Sequence, residues 1–219
     1  MMNPTKLFAV DGLKCERFIL GPIDVNCYLI YDVEAQEGLV VDPAEGSTDL
    51  LNRISELSLK PVRIFLTHGH ADHIEGVDEV RAATKATVLI SKEDAPMLAD
   101  GRLNLSAFMG APFTVKPADA FLAHGDEIRV GRHVGKVIAV PGHTPGGLAL
   151  AFPGLIIVGD TLFAGSVGRS DFPGGDGRQL LSMIEARLFS LDDGIVLPGH
   201  GPDTTISEEK VSNPFLQDS

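Results

Sequence analysis

The segment Thr67-His68-Gly69-His70-Ala71-Asp72-His73 limits the folds open to this chain more than any other, because it packs three imidazoles and a carboxylate into six residues at the exit of an apolar run. Four such side chains crowd and desolvate one another unless a cation of high charge sits among them. Neutral His with ionised Asp is the usual ligand set for a borderline divalent metal. The fold must then hold a strand end rigidly against a metal site. The alternative is a His-rich surface loop, which makes no demand on the rest of the chain.

The early chain is β-rich. Cys15–Leu20, Asn26–Tyr31 and Gly38–Pro43 are separated by Gly, Pro and Asp, and predict antiparallel strands of one sheet. After Ser47 the spacing turns helical, with Leu50, Leu51, Ile54 and Leu57 on one face, and Pro61–Leu66 returns as a buried strand that ends at the His cluster. A helix over Ile74–Ala83 and a strand over Ala86–Ile90 follow. Residues Asn104–Lys116 are apolar without a clean period and read either as a packed surface crossover or as a lid over the site. Further strands are predicted at Glu127–Val130, Gly135–Val140, Leu148–Phe152, Leu155–Val158 and Ile195–Leu197, with a helix over Arg178–Phe189. No repeat or low-complexity tract divides the chain, so 219 residues with 44% hydrophobic content predict a single domain around one α/β core.

Three later segments share one punctuation: Pro141-Gly142-His143-Thr144-Pro145-Gly146, Val158-Gly159-Asp160-Thr161 and Leu197-Pro198-Gly199-His200-Gly201. Each places one ligand-capable residue just past an apolar strand, and the glycine before it permits a sharp turn and close backbone approach. Side chains two apart in an extended loop point the same way. His68 and His70 can therefore grip one ion while the turning chain offers Asp72 and His73 to another. This spacing predicts two metal ions. His143 completes the first set and His200 the second, and Asp160, with lone pairs on both oxygens, can bridge them. An all N/O donor set accepts zinc, iron or manganese, with zinc the first expectation. His124 and His133 stand in hairpin-like sequence and read as ordinary surface or turn residues.

The formal charge of −12 argues against a nucleic-acid or anionic-membrane partner, since both demand clustered Lys and Arg. The start Met1-Met2-Asn3-Pro4-Thr5-Lys6 lacks a basic stretch followed by a long apolar run, and no segment reaches membrane-spanning length, which predicts a soluble, cytoplasmic protein. Cys15 and Cys27 do not form a Cys-x-x-Cys pair and read as buried small hydrophobes, with a disulfide between neighbouring strands as the alternative.

At these residues the chain resembles the metallo-β-lactamase-fold hydrolases, and within them the glyoxalase II-like (hydroxyacylglutathione hydrolase-like) branch in its short, single-domain YcbL-type form. The resemblance runs from Val41-Asp42-Pro43 through the His cluster, Pro-Gly-His-Thr-Pro-Gly and Gly-Asp-Thr-Leu-Phe to the final Pro-Gly-His-Gly, nearly the whole chain. It implies an α/β (α+β) architecture, a four-layer αββα sandwich with a dinuclear site along one edge of its two sheets. The positions His68, His70, His143, Asp72, His73, Asp160 and His200 match the family's ligand pattern. The resemblance also implies that Asp42 and Thr67 orient ligand imidazoles through hydrogen bonds, with turn chemistry as the alternative.

Water bridging two cations loses its proton near neutral pH, so the expected activity is hydrolysis by a metal-held hydroxide, with Asp72 and His73 as the catalytic pair. A thiolate leaves readily because its conjugate acid has a pKa of about 8.5, whereas an amide nitrogen is a poorer leaving group. The resemblance implies a small-molecule thioester such as S-lactoylglutathione, with Arg169 meeting a glutathione carboxylate through two parallel hydrogen bonds. An ion pair from Arg169 to Asp171 or Asp176 is the alternative. Full-length glyoxalase II enzymes continue after the last His into a helical domain that supplies part of the glutathione site. Here nineteen residues follow His200, so no such domain is expected, and a different thioester or related ester is a further expectation. Persulfide dioxygenase is the main rival: it resembles the Gly168-Arg169-Ser170-Asp171-Phe172 region and uses one iron at positions equivalent to His68, His143 and Asp160. A metal-stabilised scaffold without catalysis is a third reading. A secreted β-lactamase is disfavoured by the lack of an export signal, and a processing ribonuclease by acidity.

Overall fold

The computed structural model describes residues 4–60 and 62–217. Seven strands, in chain order, form the first sheet: β1 (Lys6–Val10), β2 (Leu13–Leu20), β3 (Val25–Asp32), β4 (Glu37–Val41), β5 (Val62–Phe65), β6 (Thr87–Ser91) and β7 (Ala120–Leu122). The first four pair antiparallel, with Cys15 opposite Ile30 and Tyr28 opposite Val41, and β4 to β7 pair parallel. The second sheet takes β8 (Glu127–Val130), β9 (His133–Ala139), β10 (Leu148–Phe152) and β11 (Leu155–Gly159). After a small ribbon of β12 (Leu162–Phe163) and β13 (Ser166–Val167), it also takes β14 (Ile195–Pro198) and β15 (Thr204–Thr205). Its order is β15-β14-β11-β10-β9-β8, antiparallel except where β11 meets β14.

Strands that are apolar at nearly every position need cover on both faces. Along β3, Cys27, Leu29 and Tyr31 pack toward one core while Tyr28 and Ile30 pack toward another. Along β11, Leu155 and Ile157 face the second of those cores, and Ile156 and Val158 face a third. The period of two in side-chain direction thus sorts the residues into three cores. The outer ones are closed by helices: α1 (Thr48–Glu56) and α3 (Val77–Thr84), after the short α2 (Ala71–Ile74), cover the first sheet with Leu50, Ile54, Val77 and Val80. On the far side, α4 (Gly177–Met183), which runs into a π-helical turn Ile184–Leu188, and α5 (Ile206–Ser212) cover the second sheet with Leu180, Ile184, Leu188 and Ile206. The result is the expected αββα sandwich. No helix among the described residues is long and apolar enough to cross a membrane.

The helix predicted over Ile74–Ala83 is α3, which starts only at Val77, and the turning chain before it, Ala71–Ile74, is a separate short helix, α2, with the break at Gly76. There the chain presses on the Pro43–Ala44 turn, with Gly76 N donating to Pro43 O at 2.9 Å, and a Cβ at Gly76 would run into Ala44 O. The sequence pattern missed β1, β7, the β12–β13 ribbon, β15 and α5, all short or amphipathic without a strong period. Residues 104–116 hold one 3-10 turn, Ser106–Phe108, and are otherwise irregular. Pro61, the first residue of a predicted strand, lies outside the described residues. Cys15 and Cys27 are both buried and free, on opposite faces of the first sheet, which excludes the disulfide between them.

Candidate metal centre

The chain beyond the C-terminal ends of β4, β5, β9, β11 and β14 delivers Asp42, the His68–His73 segment, His143, Asp160 and His200 to one edge of the sandwich. Rigid strands mount the residues, and the turns after them aim the side chains. Glycine is required at one of these turns by space: a Cβ on Gly199 would lie 2.7 Å from His73 Cε1 and run into Asp160 Oδ1.

Two donor sets emerge. His68, His70 and His143 form one, with His70 Nδ1 2.9 Å from His143 Nε2. Asp72, His73 and His200 form the other: Asp72 Oδ2 lies 3.3 Å from His73 Nε2 and 3.2 Å from His200 Nε2, and the two Nε2 atoms are 3.3 Å apart. Four ligands around zinc at about 2.0–2.1 Å stand about 3.3 Å from one another along a tetrahedral edge, close to these spacings. Asp160 lies between the sets, with Oδ1 3.4 Å from His73 Nε2 and Oδ2 3.7 Å from both His143 Nε2 and His200 Nε2. Two buried atoms here, His68 Nε2 and Asp160 Oδ1, have no hydrogen-bond partner. An orphaned buried nitrogen lone pair and an orphaned carboxylate oxygen within one cluster of donor residues are what a cation-binding site leaves when only protein atoms are counted. The residues therefore fit a pair of divalent ions.

Three of the imidazoles, those of His73, His68 and His143, are turned by a bond to the remote nitrogen. Asp42 Oδ2 accepts from His73 Nδ1 at 3.0 Å and from Thr67 Oγ1 at 2.6 Å, while its Oδ1 accepts from Thr67 N at 2.8 Å. Because Thr67 Oγ1 spends its hydrogen on Asp42, it accepts from His68 Nδ1 at 3.0 Å, which leaves Nε2 of His68 as the lone-pair nitrogen. His143 Nδ1 donates to Arg169 O at 2.6 Å and likewise frees Nε2. Asp42 itself is buried, with φ 49°, a left-handed backbone uncommon for a non-glycine residue, and such strain persists where the surroundings over-determine it. It lies near His68 and His73, and its carboxylate is engaged in these bonds.

The electrostatics split the same way. Burial, followed by the neighbouring imidazoles, holds His68 well below the usual His range and pushes His70 down to about 3, so both are neutral donors. Burial alone would raise Asp72, but His73 and His200 outweigh it and keep the carboxylate ionised. Burial would likewise lower His73, yet the facing Asp72 and Asp160 raise it well above the usual value. The second set therefore favours positive charge at its centre.

Several supporting residues escaped the sequence reading. Asp94, fully buried, accepts from Thr144 Oγ1 and Gly146 N, both at 2.7 Å, and from Gly69 N at 3.3 Å, so one carboxylate ties the loop of His68 and His70 to the loop of His143. Its burial pushes its pKa up against those bonds. Asn26 donates to Pro198 O and Gly201 O at 3.0 and 2.9 Å, and Tyr28 Oη donates to Pro198 O at 2.7 Å, fixing the turn of His200 from the opposite sheet. Asn26 carried a faint signal, a polar residue inside an apolar strand. Asp94 sits in Lys92-Glu93-Asp94, indistinguishable by sequence from a solvated acidic turn.

A cavity of about 770 Å³ opens over His70, Asp72, His143, Asp160 and His200. Arg169 lines it, exposed, and makes both expected parallel bonds internally, to Asp171 at 2.9 and 2.8 Å, while its guanidinium lies 4.2 Å from the Phe172 ring. Asp176 is engaged elsewhere, capping α4. Leu105, Phe108 and Met109 from the 104–116 stretch also line the cavity. A groove of about 740 Å³ that includes His124 touches none of these donors, and His133 pairs with Asp32 at 3.6 Å on β9.

A family model described as the metallo-beta-lactamase superfamily matches residues 20–200. The chain is 36% identical over 208 residues to "Probable metallo-hydrolase YqgX" of Bacillus subtilis, a match spanning 93% of this chain and 98% of that one. It is 36% identical over 200 residues to "Hydroxyacylglutathione hydrolase GloC" of Haemophilus influenzae, spanning 87% and 92%. Among solved structures, the BLEG-1 B3 metallo-beta-lactamase superposes with a TM-score of 0.88 at 36% identity, covering 93% of this chain and 99% of that one. ETHE1 from Myxococcus xanthus follows with a TM-score of 0.76 at 32% identity, covering 94% and 85%. TTHA1623 in a di-iron-bound form has a TM-score of 0.76 at 34% identity, covering 91% and 99%.

Proposed function

The chain belongs to the metallo-beta-lactamase superfamily, and from that premise we propose that it is a single-domain, dinuclear-metal hydrolase of a small-molecule thioester. The observation that carries the reading is the pair of adjoining donor sets, His68–His70–His143 and Asp72–His73–His200, with Asp160 between them. In this reading those seven residues are the metal ligands and Asp42 and Thr67 orient them. When bound, two divalent ions supply a water acidified to near-neutral pKa and a Lewis acid that polarises the carbonyl. Zinc is the first expectation, and the di-iron form of a 34%-identical structure supports iron as well.

The chain's own residues do the remaining work. Asp42 and Thr67 keep His73 and His68 in the tautomer that turns Nε2 inward. Asp72 lines the cavity where the carbonyl of a thioester would lie, and the fully buried His73 stands 3.3 Å from its carboxylate, so this catalytic pair would meet substrate through Asp72. No Ser or Cys nucleophile among the cavity's lining residues competes for that position. The thioester is proposed because its thiolate leaves without a strong general acid, and the cavity presents no such acid. The GloC relative supports S-lactoylglutathione as the first substrate to try. Arg169 would exchange its Asp171 partner for a substrate carboxylate, a trade that its exposure permits.

The test is hydrolysis of S-lactoylglutathione by metal-replete protein, compared with a variant carrying both His68→Ala and His70→Ala. Equal rates would refute the reading. The similarity to ETHE1 favours a second one, persulfide dioxygenation at a single iron held by His68, His143 and Asp160. Oxygen uptake with glutathione persulfide at one iron per chain would establish it in place of hydrolysis.

A further inference from the structure

The cavity over the donor sets has two chemically different ends, and the difference bears on the acyl group, provided the thioesterase reading holds. At the His143 end lie Arg169, whose backbone carbonyl takes the His143 Nδ1 hydrogen, and Phe172, whose ring is 5.8 Å from that of His70. At the Asp72 end the wall is Ile23 and Met109, continued by Leu105 and Phe108. Ile23, Phe108 and Met109 are 48%, 75% and 55% exposed, large apolar side chains gathered on one wall and left to water. The polar neighbour on this segment, Asn104, is turned inward: its Nδ2 donates to Phe113 O and its Oδ1 accepts from Ser106 N. Its carbonyl takes Ala71 N at 2.8 Å and so fastens the segment to the residue before Asp72. Leu105 is held with φ 74°, a left-handed conformation costly for a branched side chain, and strain of this kind clusters where a segment clasps a ligand. Beyond Ile23 and Met109 a small recess carries Glu45 and Glu75, which repel an anionic group.

The geometry points to a thioesterase that selects an uncharged hydrocarbon acyl group, seated against Ile23, Leu105, Phe108 and Met109, with the thiol half at the Arg169 end. Water adds to the acyl carbon and the C–S bond breaks with its electron pair leaving on sulfur, so thioester and water give carboxylate, thiol and one proton. A lactoyl group, with a single methyl beyond the carbon next to its carbonyl, is too short to cover that wall. A growing alkyl chain instead removes apolar surface from water at every added carbon.

The experiment measures thiol release from acetyl, butyryl, hexanoyl and octanoyl thioesters of glutathione and of N-acetylcysteamine, and from S-lactoylglutathione, on metal-replete protein. The expected kcat/KM rises about threefold to fourfold per methylene as far as hexanoyl on both thiols, and S-lactoylglutathione falls below S-butyrylglutathione. Replacing Phe108→Ala and Met109→Ala together flattens that slope. Phe121→Ala, which removes a phenyl 55% exposed on the edge strand β7 and outside the cavity, leaves it intact. Hydrolysis of S-lactoylglutathione with a flat chain-length series, or a slope that survives the double variant, would overturn acyl selection and leave the thioesterase reading standing. If metal-replete protein cleaves no thioester of either thiol, the thioesterase reading falls, and acyl selection with it.

Discussion

Single side chains at the edge of the sandwich act mainly by fixing other side chains. Asp42 is the clearest case, because one carboxylate, on a left-handed backbone, holds both Thr67 and His73. Asp42→Asn is expected to lower metal affinity by about 10- to 100-fold, read by competition with a chromophoric chelator; undiminished affinity would reduce Asp42 to turn chemistry. Asp94→Asn sets an amide hydrogen against either Gly146 N–H or the Gly69 and Thr144 donors, and is expected to destabilise the fold by about 1–3 kcal/mol in urea unfolding. Glu16 supplies the pH dependence. Burial opposes its ionisation, but hydrogen bonds from Arg53 and Tyr31 win and lower its pKa. The folded chain therefore binds this proton less readily than the unfolded one. The stabilisation is complete above the ordinary carboxylate range and is lost as pH falls through the lowered folded value. The stability gap between the native chain and Glu16→Gln should accordingly be wide at pH 7 and shrink in acid, and a constant gap would exclude the linkage.

Elements were legible where burial imposed a period. β8 and β10 match their predicted limits, and α1 begins directly after Ser47, where the spacing turns helical, because a strand covered on both faces such as β10 is apolar throughout, a half-covered one such as β8 alternates, and a one-sided helix must repeat. The break between α2 and α3 was not legible, since apolar spacing continues across it and the cause is a neighbour distant in sequence, the Pro43–Ala44 turn. That break orients α2, and α2 carries Asp72 and His73. Gly76→Ala should therefore cost about 1–3 kcal/mol by forcing a methyl against Ala44 O, measured by thermal unfolding. A neutral substitution would show that the turn gives way. The ribbon β12–β13 and helix α5 were missed for a different reason: they are held by polar bonds, with Glu209 accepting from Gly165 N and Thr204 Oγ1, and these leave no hydrophobic pattern.

At the scale of the whole molecule, two sheets bring together residues as far apart in sequence as Asp42 and His200, so a bound ion is also a cross-link between sheets. Anything that binds only the folded state stabilises it by mass action, about 4 kcal/mol when free ligand stands at a thousand times its Kd. Chelation should lower the Tm and readdition of zinc, iron or manganese restore it; an unchanged Tm after ions are shown to be gone would deny the centre a structural part. The donor residues themselves could be read from the sequence. Clustered imidazoles and carboxylates at the ends of apolar runs, with His70, His143, Asp160 and His200 each behind a glycine, have few physical explanations besides a metal, and buried strands announce themselves by composition. Tertiary structure alone decided which nitrogen of each imidazole faces inward, that Asp94 clamps two ligand loops, that Arg169 spends its guanidinium on Asp171, and that the mouth has an apolar end. Those facts depend on distances between residues far apart in the chain, and a local pattern carries no information about such distances.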